Sequence, residues 1–525
     1  MTKSFYFYLI LTAALCGALI MVIEILGSRI IGPFYGVSLY VWTSLIAVTM
    51  IALAAGYAVG GRIADKYPTP SVLYGLIAGA GAFTLIIPFI QSEVLVACQP
   101  MGLRMGAFIS ATILFGPPLA LLGCVSPYVV RLAARETKNL GRTVGSFYAL
   151  STLGSVGGTV ATGFWLIGIL GISSIMKLTG GALISIAIVY FVVFGRKKTA
   201  IAPAILLALV ALPVDQIVRA GVMPDGTKIT VQHMEESFYG RIQVLDFSYK
   251  EHLLRELMID GMVQGGTDPR SGLAAYETVV LMERLPLLLT KSPERALVIG
   301  LGPGTMPIFY EKNGVTTDVV DIDPAVIETA RKWFDFNISG NVYIEDARQV
   351  VSTLSKPYDI IILDIFNGDV QPAHVMSLEA LKDIKRILKP GGVLTINIVG
   401  ALKGRTRMTE SVVKTLDAAG FNQIDLYPMF EMIDTEDDLW GNIVLTAYEG
   451  SKRHIDLTRL QDWPVNIMAN NAMTFIQTPI RIEPTVQAII LSDDYAPLDV
   501  EDAWMREAVR LSIQGNLDPS LLMGE

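Results

Sequence analysis

The sequence predicts a chain in two parts: a multi-span α-helical membrane domain, then an α/β domain of the nucleotide-binding kind with a small β domain in front of it. Three observations carry this prediction. First, 52% of the 525 residues are hydrophobic, only 17% are charged and the mean hydropathy is +0.49, more apolar than a water-soluble chain requires. Second, the long apolar stretches all precede residue 220. Third, between Arg295 and Asp323 two β-branched runs flank Gly300, Gly302 and Gly304, the pattern of a strand, a tight turn, a helix and a second strand.

Charge divides the chain at the same place. Residues 1–220 hold 14 Lys and Arg against 5 Asp and Glu, a net of +9; the remainder holds 27 against 44, a net of -17, and together they give the -8 of the whole. A basic membrane part is thus joined to an acidic soluble part, and the acidity excludes nucleic acid as an expected partner. Cys16, Cys98 and Cys124 all lie in the first part, so the second cannot form an internal disulfide. His233, His252, His374 and His454 have no metal-ligand spacing, and no metal is expected.

Six stretches approach or exceed the roughly 20 residues that a bilayer requires: Phe5 to Ile31, Tyr40 to Gly60, Ser71 to Ile90, Met105 to Val130, Val144 to Leu170 and Ile172 to Phe194. A shorter seventh, Ala200 to Leu212, is bounded by Pro213 and Asp215. The first keeps Glu24 and Arg29 near its end and is read as an uncleaved helix, with Arg29 a candidate partner for Glu24. Basic residues at Lys3, at Arg62 and Lys66, from Arg131 to Arg142 and from Arg196 to Lys198 place the amino terminus in the cytoplasm of a multi-pass cell (inner) membrane protein. Six spans keep the soluble part in the cytoplasm, where its chemistry is expected; a seventh would put it outside. Gly154 to Gly158 and Gly163 read as small residues for close helix packing. The run from Gly56 to Asp65 has the same packing explanation, and it also resembles the glycine-arginine-aspartate loop of major-facilitator transporters.

In the soluble part, Ser237 to Val244 and Glu256 to Val263 read as strands of the small β domain, and a helix follows Tyr276 and Glu277 to Leu289. Ala296 to Ile299 leads into the glycine turn, and the next strand ends at Asp321, 21 residues after Gly300. Glycines let backbone approach a ligand, and an acid at that spacing suits an adenosine ribose. A third run, Asn341 to Ile344, precedes Asp346, and a fourth, Tyr358 to Asp364, ends in a carboxylate. Leu381 to Ile398 then supplies a helix, a lysine-proline-glycine-glycine turn and an apolar strand, the usual look of enzymes that use S-adenosylmethionine (SAM). The domain is therefore expected to be Rossmann-like and of SAM type, with ligands at the carboxyl ends of its strands. A final amphipathic helix is expected over Glu501 to Gln514, with Ala503, Val509 and Leu511 on its apolar face.

A strand ending Leu-Asp-Gly-x-x-Gln, a Tyr-x-Glu helix and then the glycine turn resemble the spermidine synthase family over roughly residues 235 to 450. With the apolar segments in front, and with Leu491 to Pro497 similar to a tail motif, the chain resembles the membrane-fused branch of that family. The resemblance implies that Asp321 holds the ribose, that Asp346 contacts the adenine amino group and that Asp364 accepts the proton of an attacking amine. It also implies a homodimer. Gln264 is assigned to donor binding at the border of a second-substrate pocket holding Tyr276, Asn367 and Asp369. Two positions depart from the family: Pro303 stands where an aspartate usually binds the donor's amine, and Asn367 where a second aspartate usually grips the acceptor. Tyr276 falls where many relatives carry histidine. Losing the acid beside the donor's amine favours a donor that keeps its carboxylate, SAM itself.

The expected boundaries are 1–220 for the membrane domain, 228–290 for the small β domain and its linking helix, 291–450 for the catalytic domain and 451–525 for a C-terminal extension. The expected activity is transfer of an aminopropyl or related group from SAM or decarboxylated SAM to a small amine, with release of methylthioadenosine. Other readings are a SAM lyase or cyclase, a methyltransferase, a transporter with a SAM- or polyamine-sensing domain, and a scaffold with a dead site.

Overall fold

The structure, a computed structural model, describes residues 2–36, 38–133, 140–195, 220–223, 225–366, 371–432 and 437–514. The seventh apolar stretch, Ala200 to Leu212, lies outside them, as do Asn367 and Asp369. The described residues form two compact units: a helical one, which includes the short turn Glu236–Gly240, and an α/β one.

The helical unit contains α1 (Lys3–Tyr35), α2 (Leu39–Lys66), α3 (Pro70–Cys98), α4 (Gly102–Gly123), α5 (Val125–Ala133), α6 (Leu140–Ala161) and α7 (Ile172–Val189). The last two are prolonged by π-helical turns at Thr162–Leu166 and Tyr190–Phe194. Among the described residues, five continuous helical stretches are long and apolar enough to cross a bilayer; the third, Pro70–Ala133, is 64 residues long and holds two of the expected segments, packed side by side as α3 and α4 after a reversal at Gly102. Helical hydroxyls return to their own backbone, as Thr12 does to the Tyr8 carbonyl and Thr84 to that of Ala80, both at 2.8 Å, so their polarity costs little in apolar surroundings.

Small residues set the helix spacing. A Cβ at Gly154 or Gly158 would lie 2.0 or 2.4 Å from the carbonyl oxygens of Ala14 and Ala18, so α6 meets α1 backbone to backbone. Gly56 and Gly60 likewise admit Ala120 and Cys124, which gives the Gly56 to Asp65 run a packing role on α2. Gly163 is a correction: nothing lies within 4 Å of a Cβ built there. Glu24 and Arg29 form no ion pair among the described residues; the Arg29 guanidinium donates to the Phe238 carbonyl instead.

The α/β unit opens with an antiparallel meander, β1 (Ala220–Val222), β2 (Lys228–Glu236), β3 (Arg241–Tyr249), β4 (His252–Ile259) and β5 (Met262–Thr267), paired in chain order. Two expectations change here. Ser237–Gly240 is a turn, in which the Ser237 hydroxyl accepts the amides of Tyr239 and Gly240 at 3.0 Å, and Glu256 to Val263 is a hairpin rather than one strand. Asp260 (φ 47°) and Gly261 (φ 73°) form its two-residue turn, the left-handed pair that matches strand twist.

The second sheet orders β6 (Arg295–Ile299), β7 (Thr316–Asp321), β8 (Val342–Ile344), β9 (Tyr358–Leu363), β10 (Leu388–Lys403), β11 (Gln423–Pro428) and β12 (Leu439–Tyr448) as β11-β12-β10-β9-β6-β7-β8. All neighbours are parallel except those of β12. Strand order reverses between β6 and β9, and the crevice at that switch is where such sheets bind ligands. Helices α8 (Glu277–Leu289), α9 (Thr305–Lys312), α10 (Pro324–Trp333), α11 (Ala347–Thr353), α12 (Leu378–Ile387), α13 (Arg407–Ala418) and α14 (Ala503–Gln514) accompany the sheet. Burial of β9 from Ile360 to Leu363 explains the unbroken apolar run there. Helix α14 starts two residues later than expected, and its inner side carries Ala503, Met505, Arg506 and Arg510, whereas Leu511 is exposed. Apolar spacing alone did not show which face two long arginines would cover.

Candidate active site

The glycine turn after β6 is the centre of the site. Gly300 (φ 93°) and Gly302 (φ 53°) hold conformations that resist a side chain, and neither has room for one. A Cβ at Gly300 would fall 2.0 Å from the Asp364 carbonyl oxygen, and one at Gly302 would fall 2.9 Å from that of Gln264. The turn is thereby clamped between the end of β9 and β5. Gly304 starts α9 beside Phe336. Pro303, at the departure from the family pattern, fills the space over Gly265 of β5, its Cδ 2.9 Å from the position of a Cβ there.

Three carboxylates follow strand ends. Asp321 terminates β7; its Oδ2 accepts the Leu301 amide and its Oδ1 the Asp323 amide, both at 2.9 Å, which ties it to the glycine turn. Burial pushes its pKa up to about 6, against the lowering effect of those amides. Each oxygen retains acceptor capacity for a ligand hydroxyl. Asp346 caps α11, its Oδ1 accepting the amides of Arg348 and Gln349 at 2.9 and 3.2 Å, while Oδ2 lies 3.3 Å from His374 Nε2. Asp364 follows β9, and its Oδ1 accepts the Asn397 side-chain amide of β10 at 2.9 Å. Desolvation raises its pKa, and the Asn397 donor opposes the rise. Asn397 is itself held by Gln371, whose amide donates to its carbonyl.

Gln264 meets the turn through its backbone, while its side chain donates to the Met262 carbonyl at 3.3 Å. The Tyr276 hydroxyl donates to Glu256 Oε1, a buried carboxylate whose pKa burial pushes up to about 7. The structure thus brings the glycines, Gln264, Asp321 and Asp364 to one place, sets Asp346 on the next helix cap, and engages Tyr276 with Glu256. Sequence reasoning missed Glu256, His374, Gln371 and Asn397. The available signal was a polar residue inside an apolar strand, Glu256 in LLRELMI and Asn397 in LTINI.

A glycine turn at a parallel-sheet switch point, with acids after three strands, defines a Rossmann-like domain, a fold whose ligands bind in that crevice. Residues 276–435 match the spermine/spermidine synthase domain family. The chain is 37% identical over 137 residues to a polyamine aminopropyltransferase of Vibrio vulnificus, covering 24% of this chain and 45% of that protein. It is 30% identical over 256 residues to an N-terminal histidine N-methyltransferase of Emericella nidulans, covering 43% and 45%. With the eEF1A lysine and N-terminal methyltransferase of Homo sapiens it shares 33% identity over 132 residues, 22% of this chain and 19% of that one. The matched stretches span less than half the length of each of these relatives. The comparisons support a spermidine synthase-like family for the α/β unit, and the relatives named here are transferases.

Proposed function

We infer that the protein is a membrane-bound transferase that moves an aminopropyl-type group from SAM or decarboxylated SAM to an amine. The amine nitrogen attacks the carbon next to the sulfonium, the carbon–sulfur bond breaks with its electrons going to sulfur, and neutral methylthioadenosine leaves. The proton lost by the new ammonium goes to Asp364. Sulfonium is already an activated leaving group, so the protein need only align the partners, exclude water and supply a base.

The observation that carries this reading is Asp364: its backbone packs against Gly300 at the switch point, one oxygen of its carboxylate is fixed by Asn397, and desolvation makes that carboxylate a stronger base. Asp321 is assigned to the ribose and Asp346 to the adenine, with Gly300, Gly302 and Gly304 beneath the nucleoside and Gln264 beside it. Tyr276, through Glu256, borders the second-substrate side, as Asn367 and Asp369 do by sequence. Pro303 leaves the donor's amine without an acid from the turn, which favours a donor that retains its carboxylate.

Methyl transfer is the second reading, supported by the relatives named as methyltransferases. The products separate the two. Incubating the purified chain with SAM or decarboxylated SAM, with and without 1,4-diaminobutane, and following nucleosides by mass spectrometry yields methylthioadenosine for alkyl transfer and S-adenosylhomocysteine for methyl transfer. Bilayer insertion of the helical unit is supported by its outward Phe7, Met50, Leu153, Phe164 and Ile169, all exposed, as lipid contact requires.

A further inference from the structure

Residues 488 to 497 of the C-terminal extension run as a strap over α13 and reach the start of α12. Lys414 of α13 donates to the Ala488 carbonyl at 2.6 Å, the Ser411 hydroxyl accepts the Ile489 amide at 3.0 Å, and that of Thr415 accepts the Leu491 amide at 2.9 Å. Leu491 is fully buried, and its carbonyl accepts the Leu378 amide at 2.8 Å. The strap is thus fixed to both helices just before Asp493.

Asp493 joins three segments. Its Oδ1 accepts the hydroxyl of Ser377, which caps α12 by accepting the Ala380 amide at 3.2 Å; its Oδ2 lies 3.4 Å from Arg348 of α11; and its amide donates to Glu379 at 3.1 Å. Arg348 also lies 3.5 Å from Asp383 of α12. Both side-chain partners of Asp493 stand beside the expected nucleobase contact. Arg348 gives its amide to Asp346 Oδ1, and Ser377 follows His374 by three residues, the ring of which meets Asp346 Oδ2. Oδ2 is the oxygen that the capping amides leave to a ligand. Its direction depends on how α11 and the turn carrying His374 are placed, and Asp493 ties those two pieces together.

We propose that Asp493 is a positioning residue for nucleobase recognition: by tying Arg348 to Ser377 it holds Asp346 Oδ2 towards the amino group of an adenine. The proposal rests on the assignment of Asp346 to the adenine and gives the C-terminal extension a part in choosing the base. Asp493 acts through Asp346 and does not touch the donor. A carboxylate accepts from an exocyclic amino group and repels the carbonyl oxygen that replaces it in hypoxanthine, so a well-aimed Asp346 favours adenine. Loosening the strap lowers that preference and spares the binding of the ribose and methylthio groups.

The test uses the full chain in detergent and two probes, methylthioadenosine and methylthioinosine, by calorimetry, with donor KM and kcat alongside. In Asp493→Asn, which keeps the shape and removes the charge, methylthioadenosine affinity falls about fivefold or more and methylthioinosine affinity is unchanged; donor KM rises by the same factor while kcat at saturation is kept. Asp493→Glu regains part of the loss, and Asp494→Asn, at the exposed neighbouring acid, shows none of it. An unchanged ratio of the two affinities in Asp493→Asn overturns the proposal, whether neither probe weakens or both weaken equally, as they would for a brace that is structural only. The underlying reading fails separately: no methylthioadenosine binding, or no preference for it, in the unaltered chain contradicts the assignment of Asp346 itself.

Discussion

Asn397 donates its side-chain amide to Asp364 Oδ1 at 2.9 Å across the parallel pair β10 and β9, in a register that sets Ile396 opposite Leu363. The bond orients the carboxylate and restrains its rise in pKa. Asn397→Ala therefore shifts the acidic limb of the kcat/KM profile to higher pH, because the group must lose its proton to act as a base. An unmoved limb assigns the base elsewhere.

Asp364→Asn keeps the shape of the side chain and removes its basicity. Turnover falls by about 10² to 10⁴, the usual contribution of a positioned base, while methylthioadenosine affinity is retained. Calorimetry and a turnover assay on the same preparation separate the two effects; a transporter with a sensing domain would lose neither.

Asp321 predicts a pH dependence of nucleoside binding. Its pKa of about 6 means that the carboxylate is ionised at pH 7.5 and becomes protonated as pH falls through 6. Methylthioadenosine binding weakens below that point in the unaltered chain. In Asp321→Asn it is weaker by about tenfold to a hundredfold at pH 7.5, with the dependence near pH 6 removed.

Glu256 gives a stability prediction with a definite sign. Its pKa rises on folding from 4.5 to about 7, so between those values the folded state binds more protons than the unfolded one. Its contribution is fully present below pH 4.5 and is lost as pH rises through 7. Thermal denaturation of Glu256→Gln should show a shallower downward slope between pH 5 and 7.5 than the unaltered chain, the remainder coming from other raised carboxylates such as Asp321. Equal slopes in both proteins would remove Glu256 as the cause.

Gly300 and Gly391 both have positive φ but differ in surroundings: a Cβ at Gly391 meets nothing within 4 Å, whereas at Gly300 it strikes the Asp364 carbonyl. Gly391→Ala should cost about 1 kcal/mol of backbone strain, and Gly300→Ala clearly more, about 3 kcal/mol or above, because β6 and β9 must separate. Denaturant unfolding of the two variants makes the comparison.

What the sequence made legible was local. The glycine turn, the acid ending β7 and the apolar β9 are specified by neighbours in the chain, and so were the long helices. The hairpin at Asp260 and Gly261 carried its own signal but was overridden by the apolar run on both sides. Glu256 and Asn397 were not legible, because each reaches its place through pairing or packing with residues distant in sequence: Glu256 through Tyr276, Asn397 through the β9–β10 register.

In the proposed reaction an amine attacks the carbon next to the sulfonium, with Asp364 as the base. The most direct test measures methylthioadenosine and the alkylated amine together, from SAM and from decarboxylated SAM, with the unaltered chain and with Asp364→Asn. The two products are expected in equal amounts from one of the donors, and both are expected to be lost together in the variant. S-adenosylhomocysteine as the nucleoside product, or undiminished methylthioadenosine from Asp364→Asn, would contradict it.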